Sequence, residues 1–176
     1  MAKELIELPK NIFITGKSSA GKTTLAENCL SRISDIFNRT FLIVDGTELY
    51  DFSVLYPFQG HSLKDRSNRS LHLMRLLQWL NSKGIYCLVP IIGQPLEIRS
   101  DWGTLDSFIE IHLDCDFDIC LDRDDKGVYN RQSNVIGKTI EYCTPENPYL
   151  NLNSGLNTSM ELCEKILSQL KEDFCE

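Results

Sequence analysis

The sequence predicts an α/β fold built on a parallel sheet, and two observations predict it. Strand-like and helix-like segments alternate along the whole chain. Between the first strand and the first helix lies Gly16-Lys17-Ser18-Ser19-Ala20-Gly21-Lys22-Thr23, which fits the pattern G-x-x-x-x-G-K-[ST] at every required position. Such a loop turns backbone N–H groups inward around phosphate oxygens, and the helix N-terminus behind it adds partial positive charge. The expected architecture is the P-loop nucleoside triphosphate hydrolase fold: a parallel sheet flanked by helices, with a short lid.

The elements follow in order. Residues 11–15 (NIFIT) read as a short buried strand, and residues 24–30 (TLAENCL) as a helix. Residues 40–44 (TFLIV) form a second strand, ended by Asp45 and Gly46. Residues 62–83 read as a long helix, with Leu73, Leu76, Leu77 and Leu80 at core spacing and Gly84 as its stop. A third strand covers 85–89 (IYCLV) and is closed by Pro90. A fourth covers 108–113 (FIEIHL), followed by a short helix around 117–121. Residues 123–148 are polar and irregular, and a stretch of that length inside a domain is more often a functional lid than a connector. The last helix spans 159–174, with Met160, Cys163, Ile166, Leu167 and Leu170 as its buried stripe. With no repeat and no linker, residues 1–176 are expected to form one domain with its lid at about 123–148.

Composition narrows the function. The net charge is −7 and the 18 Lys and Arg are scattered, so a nucleic-acid partner is not expected. No apolar run is long enough to span a bilayer and the N-terminus lacks a signal-peptide core, so neither a membrane role nor export is expected and the location read is cytoplasmic. The seven cysteines are odd in number and show no C-x-x-C pair, which fits buried thiols in a reducing compartment. His61, His72 and His112 do not form a ligand-spaced set.

In an open parallel sheet the ligand sits beyond the carboxyl ends of the strands. Past strand one, Lys22 can reach the outer phosphates of ATP and the Thr23 hydroxyl can hold Mg²⁺. Past strand two, Asp45 can hold the metal's water shell or accept a proton from an attacking hydroxyl. Thr47 can cap a helix turn beginning at Glu48. Ser62 and Asp65 form a capping-box pattern at the start of the long helix. One turn apart on that helix, Arg66 and Arg69 are either a clamp for an anionic acceptor or a solvated charged helix end.

Taken together, the motifs resemble the adenylyl-sulfate kinase family, which phosphorylates the 3′-hydroxyl of adenosine 5′-phosphosulfate. The likeness runs from about residue 11 to residue 154. It rests on the phosphate loop, Val44-Asp45-Gly46-Thr47, Gly60-His61-Ser62-Leu63-Lys64-Asp65-Arg66, Phe108-Ile109-Glu110-Ile111-His112-Leu113-Asp114, Arg123-Asp124-Asp125-Lys126-Gly127-Val128-Tyr129, and Pro145-Glu146-Asn147-Pro148. The resemblance implies an ATP- and Mg²⁺-dependent phosphotransferase with an alcohol acceptor. Gly16, Ser18, Ser19, Ala20, Gly21, Lys22, Thr23 and Thr24 would hold the nucleotide, with Arg123 near its base. Lys22, Asp45 and Arg66 would be catalytic, with Thr23 and Asp45 at the metal. The acceptor would meet Asp45, His61, Arg66, Arg69, Lys126 and Arg131. Family members often pair, so a homodimer is an expectation.

The departures from the family pattern fall on the acceptor side. The second aspartate of its D-G-D block is Thr47, and the arginine expected soon after is Tyr50. The phenylalanine of G-F-S is His61, the asparagine three residues past Arg66 is Arg69, and F-T-G appears as Val135-Ile136-Gly137 in a shortened lid. Stacking on an aromatic ring is worth about 1–3 kcal/mol per base, so losing both rings weakens an adenine site. The favoured reading is therefore a kinase acting on a hydroxyl of a different small anionic, nucleotide-like acceptor. A genuine adenylyl-sulfate kinase is the second reading. A nucleotide-binding module without phosphoryl transfer is the third, supported only by Thr47.

Overall fold

Alternation within the strands gives the sheet its two buried faces. In β1 (Asn11–Gly16), Ile12 and Ile14 join one hydrophobic cluster and Phe13 joins the other, so the strand is covered on both sides. The computed structural model describes residues 7–46, 48–50, 60–131 and 133–175. Among these, five strands form one sheet in the order β2-β3-β1-β4-β5, every pairing parallel. The others are β2 (Phe41–Ile43), β3 (Tyr86–Ile91), β4 (Phe108–Asp114) and β5 (Leu150–Asn153).

Helices α1 (Lys22–Phe37) and α5 (Ser159–Phe174) cover the face that carries Ile12, Ile14, Ile111 and Leu113. Helix α2 (Leu63–Ser82) and the short α3 (Arg99–Trp102) cover the face of Phe13 and Val89, where the Trp102 ring stacks on Phe13 at 4.1 Å. The remaining helix, α4 (Phe117–Asp122), follows β4. Because α1 leaves β1 toward one face and α3 follows β3 on the other, the connections leaving the paired carboxyl ends of β1 and β3 diverge. A crevice of this kind is where open α/β sheets bind ligands.

The expected elements recur, with informative differences. Helix α1 extends to Phe37, well past residue 30. Strand β3 does not close at Pro90 but runs through it to Ile91. The ladder explains why this is tolerated. Tyr86 N–H donates to Thr40 C=O (2.9 Å) and Val44 N–H to Leu88 C=O (2.8 Å), so even-numbered residues face β2. Cys87 N–H donates to Lys10 C=O on the β1 side (2.8 Å). Pro90 faces the β2 side again, and its missing N–H falls where β2 has already stopped. Strand β5 was not expected, because the sequence LNLN carries only two apolar residues. In α5, Met160 is 51% exposed and Leu162 takes its place in the stripe, beside Cys163, Ile166, Leu167 and Leu170. The segment 123–148 is irregular but not free of core: Tyr129, Val135 and Ile136 are buried, and the first two join the α1/α5 cluster. Cys29, Cys87, Cys115, Cys120 and Cys163 are buried, whereas Cys143 and Cys175 are exposed.

Candidate active site

The loop between β1 and α1 folds as its glycines require. Gly16 has φ +148°, and a Cβ there would stand 2.7 Å from the Leu113 carbonyl oxygen, so the loop can pass β4 this closely only with glycine. Ser19 takes a left-handed conformation (φ 60°), and Gly21 (φ 92°) caps the helix. Ala20 is fully buried and anchors the loop to the core.

Side chains from distant segments pin the loop from outside. Lys17 Nζ donates to the Cys115 carbonyl (2.8 Å) and lies 5.4 Å from the Tyr142 ring centre. Tyr129 donates its hydroxyl to the Ser18 carbonyl (2.9 Å). The Asp124 carboxylate accepts from Tyr129 N–H (2.7 Å) and from the Ser19 hydroxyl (3.4 Å), which ties the 124–129 turn to the loop. Lys22 Nζ donates to the Lys17 carbonyl, so its ammonium curls over the loop. Burial pushes the Lys22 pKa down to about 8, against the opposing pull of Asp45.

Thr23 donates its hydroxyl to Asp45 Oδ2 at 2.6 Å. This contact joins the end of the phosphate loop to the residue just past β2, 22 positions later. A hydroxyl and a buried carboxylate side by side are the hard oxygen donors that Mg²⁺ takes. No group of three or more His, Cys, Asp or Glu able to hold a metal occurs among the described residues. A cation here would therefore draw its other ligands from phosphate and water, as Mg²⁺ does.

These groups open on a cavity of about 440 Å³. Ser18, Ser19, Gly21, Lys22, Thr23 and Thr24 line its floor, and Asp45 lines one side. Arg66 and Arg69 enter from α2, and Arg123 and Lys126 from the segment after α4. Gly16 and Ala20 shape the loop without lining the cavity, and neither His61 nor Arg131 reaches the wall. Those two meet each other instead, Arg131 Nη1 lying 3.0 Å from His61 Nε2. Desolvation, then the charges of Arg131, Arg66 and Arg69, hold the His61 pKa below its ordinary value. The neutral imidazole this favours can accept the Arg131 hydrogen bond.

The expected capping box is present: Asp65 N–H donates to Ser62 Oγ (3.2 Å), and Ser62 N–H donates to Asp65 Oδ2 (2.9 Å). It fixes the first turn of α2, from which the arginines project. Arg66 is half-buried and donates to the carbonyls of His61 (3.2 Å) and Asn134 (3.0 Å); Arg69 is buried and donates to the Gly60 carbonyl. Arg123 Nη1 donates to the Ser154 carbonyl (3.0 Å). Glu48 is exposed and opens a 3-10 turn, whereas Thr47 lies outside the described residues.

The far wall was not anticipated. It is made by Ile91, Ile92, Gly93, Gln94 and Ile98, with Ser70 and Leu73 of α2. The signal was available: these residues follow β3, and applying the strand-end rule to β3 as to β1 and β2 would have found them. Behind this wall stands a partly buried ion pair, Arg99 Nη2 to Glu110 Oε1 at 2.7 Å. Thr15 donates to the same Glu110 oxygen (2.6 Å), and Arg99 Nη1 donates to the Gly93 carbonyl (2.5 Å). His112 Nδ1 lies 3.3 Å from Thr15 Oγ1 and 3.4 Å from Tyr142 Oη. Gln94 is held by the backbone of Cys143, donating to its carbonyl at 2.6 Å.

A parallel sheet with a phosphate loop after its central strand, and a carboxylate on the loop's terminal threonine, defines a P-loop nucleotide-binding protein. The chain belongs to the adenylylsulphate kinase family, whose model matches residues 8–153. The bifunctional enzyme CysN/CysC of Rhodopirellula baltica is 29% identical over 171 residues; they cover 93% of this chain, which spans only 26% of that protein. A cytidine diphosphoramidate kinase of Campylobacter jejuni is also 29% identical over 171 residues, covering 92% of this chain and 96% of its own. The solved structure of the Mycobacterium tuberculosis APS kinase CysC, in complex with AMPPNP and APS, superposes with a TM-score of 0.80 at 25% identity, covering 94% and 99% of the two chains. Among the described residues no helix is long and apolar enough to cross a membrane.

Proposed function

We propose that this protein transfers the γ-phosphoryl group of ATP to a hydroxyl of a small anionic nucleotide other than adenylyl sulfate. The observation that carries the reading is the 2.6 Å contact between Thr23 and Asp45 at the floor of a cavity whose walls carry Arg66 and Arg69. Loop amides and Lys22 hold the β- and γ-phosphates. Their charge restores the Lys22 proton that burial weakens. Thr23 and Asp45 would hold Mg²⁺, which when bound would neutralise charge on the phosphate oxygens. Asp45 also stands where it can accept the proton of the attacking hydroxyl. Arg66, with Arg69 behind it, meets the acceptor's anionic group, and Arg123 flanks the ATP base. Lys126 and Arg131 belong to a lid over residues 123–148, where positive charge favours the spread negative charge of the transition state. So little covalent work falls to the protein that positioning supplies most of the rate.

The acceptor side supports a substrate without a stacked adenine. His61 stands where the family pattern has a phenylalanine, and it is engaged with Arg131. Val135 stands where the second phenylalanine would be, and it is packed into the α1/α5 cluster. Neither residue offers a ring of that kind to an adenine. The cytidine diphosphoramidate kinase among the relatives makes that nucleotide the first acceptor to test.

A coupled assay of ADP release with cytidine diphosphoramidate and adenylyl sulfate as rival acceptors tests this. Turnover of the cytidine nucleotide at micromolar concentration, with adenylyl sulfate poor, is the expected result. Efficient turnover of adenylyl sulfate would instead make the protein an adenylyl-sulfate kinase with an unusual pocket. Tight ATP binding without transfer to any acceptor would favour a binding module.

A further inference from the structure

Ser70 is 2% exposed, lines the cavity, and its Oγ has no hydrogen-bond partner. Burying an unpartnered hydroxyl destabilises a protein. The usual escape on a helix is to bond back to the carbonyl four residues earlier, and Ser67 on the same helix does so, donating to Leu63 at 3.1 Å. Ser70 does not. Two other buried side-chain atoms among the described residues also lack a partner, Asn11 Oδ1 and Trp102 Nε1, and neither residue lines this cavity.

Position gives the orphan hydroxyl a direction. Arg66, Ser70 and Leu73 recur at helical spacing along the cavity-facing stripe of α2, with Arg69 adjacent. Ser70 therefore sits on the wall that carries two guanidinium groups, where oxygen atoms are the favoured ligand chemistry. We infer that Ser70 is a specificity-determining residue whose hydroxyl donates to an oxygen of the acceptor nucleotide, either a phosphoryl oxygen or a carbonyl of the base. This rests on the acceptor-kinase reading above and deepens it. The site keeps a hydroxyl that no described protein group satisfies, and the acceptor completes it.

The test compares wild type with Ser70→Ala and Ser70→Thr, using cytidine diphosphoramidate as acceptor and CMP and AMP as binding probes. For Ser70→Ala the acceptor KM is expected to rise about five- to tenfold, the worth of one hydrogen bond. ATP KM should be unchanged, and the Tm of the free protein equal to or above that of wild type, since an unsatisfied buried hydroxyl has been removed. Ser70→Thr, which keeps the hydroxyl, should restore most of the acceptor affinity. Weaker binding of both CMP and AMP assigns the contact to a phosphoryl oxygen; weaker binding of CMP alone assigns it to the base carbonyl. An acceptor KM and probe affinities equal to wild type overturn the inference. So does a lowered Tm with acceptor and ATP constants impaired together, which marks a structural serine. If wild type turns over neither acceptor, the acceptor-kinase reading fails by itself; the CMP and AMP titrations then still decide whether Ser70 touches a nucleotide.

Discussion

The proposed donor and acceptor sides of this cavity are built on different principles. The proposed donor side is one continuous stretch, Gly16–Thr23, whose backbone amides would hold phosphate, plus Asp45. The proposed acceptor side is assembled from side chains on three separate segments: the start of α2, the residues after β3, and residues 125–128. A backbone site is specified by a few glycines and reads only phosphate. A side-chain site can be rewritten one residue at a time, and here the departures from the family pattern are concentrated there.

Four substitutions or titrations would break or sharpen that contrast. The largest effect is expected for Lys22→Ala, which should lower kcat by about a thousandfold or more, measured with saturating ATP and acceptor. Retained turnover would undo the donor assignment.

Next in size is Arg99→Ala, which leaves the partly buried Glu110 without its cation and should destabilise the fold by about 2 kcal/mol, read as a fall in Tm. If the ion pair matters only for stability, the surviving folded enzyme at low temperature keeps the wild-type acceptor KM. If it also sets the wall through Gly93, that KM rises.

Arg66→Ala should raise acceptor KM about tenfold or more while ATP KM holds, because one charge-assisted contact is lost from one side of the cavity. A parallel rise in both constants would mean that the two sides are not separable.

The smallest effect concerns pH. The folded-state pKa of His61 lies below its unfolded value of 6.5, so the unfolded chain binds more protons in the interval between them. The stability from neutral His61 is complete above pH 6.5 and is lost as pH falls through the lowered value. A His61→Gln variant should therefore show a shallower loss of Tm than wild type between pH 6.5 and 5; equal slopes would mean that the Arg131 contact carries no such coupling.

What the sequence made legible was mostly local. The phosphate loop, the carboxylate after β2 and the Ser62–Asp65 cap are each written within a few consecutive residues, and local rules read them. The long helix and the central strands are legible because their apolar residues repeat at 3.6 or run continuously. What stayed hidden depends on partners far apart in the chain. Strand β5 is held by pairing with β4 rather than by its own sequence, and the ladder side on which Pro90 sits is a property of β2's length. The network of Thr15, Arg99, Glu110, His112 and Tyr142 spans residues up to 97 positions apart in a single contact, and nothing near Thr15 announces it.

That network has an engineering consequence. Thr15 immediately precedes the phosphate loop, and Arg99 grips the carbonyl of Gly93 in the opposite wall, so one partly buried strut links the base of the loop to that wall across the cavity. A designer seeking new substrates could exchange residues at the cavity rim and leave this spacer alone. The chain would then serve as a chassis, with its reach across the active site already set before any substrate is chosen.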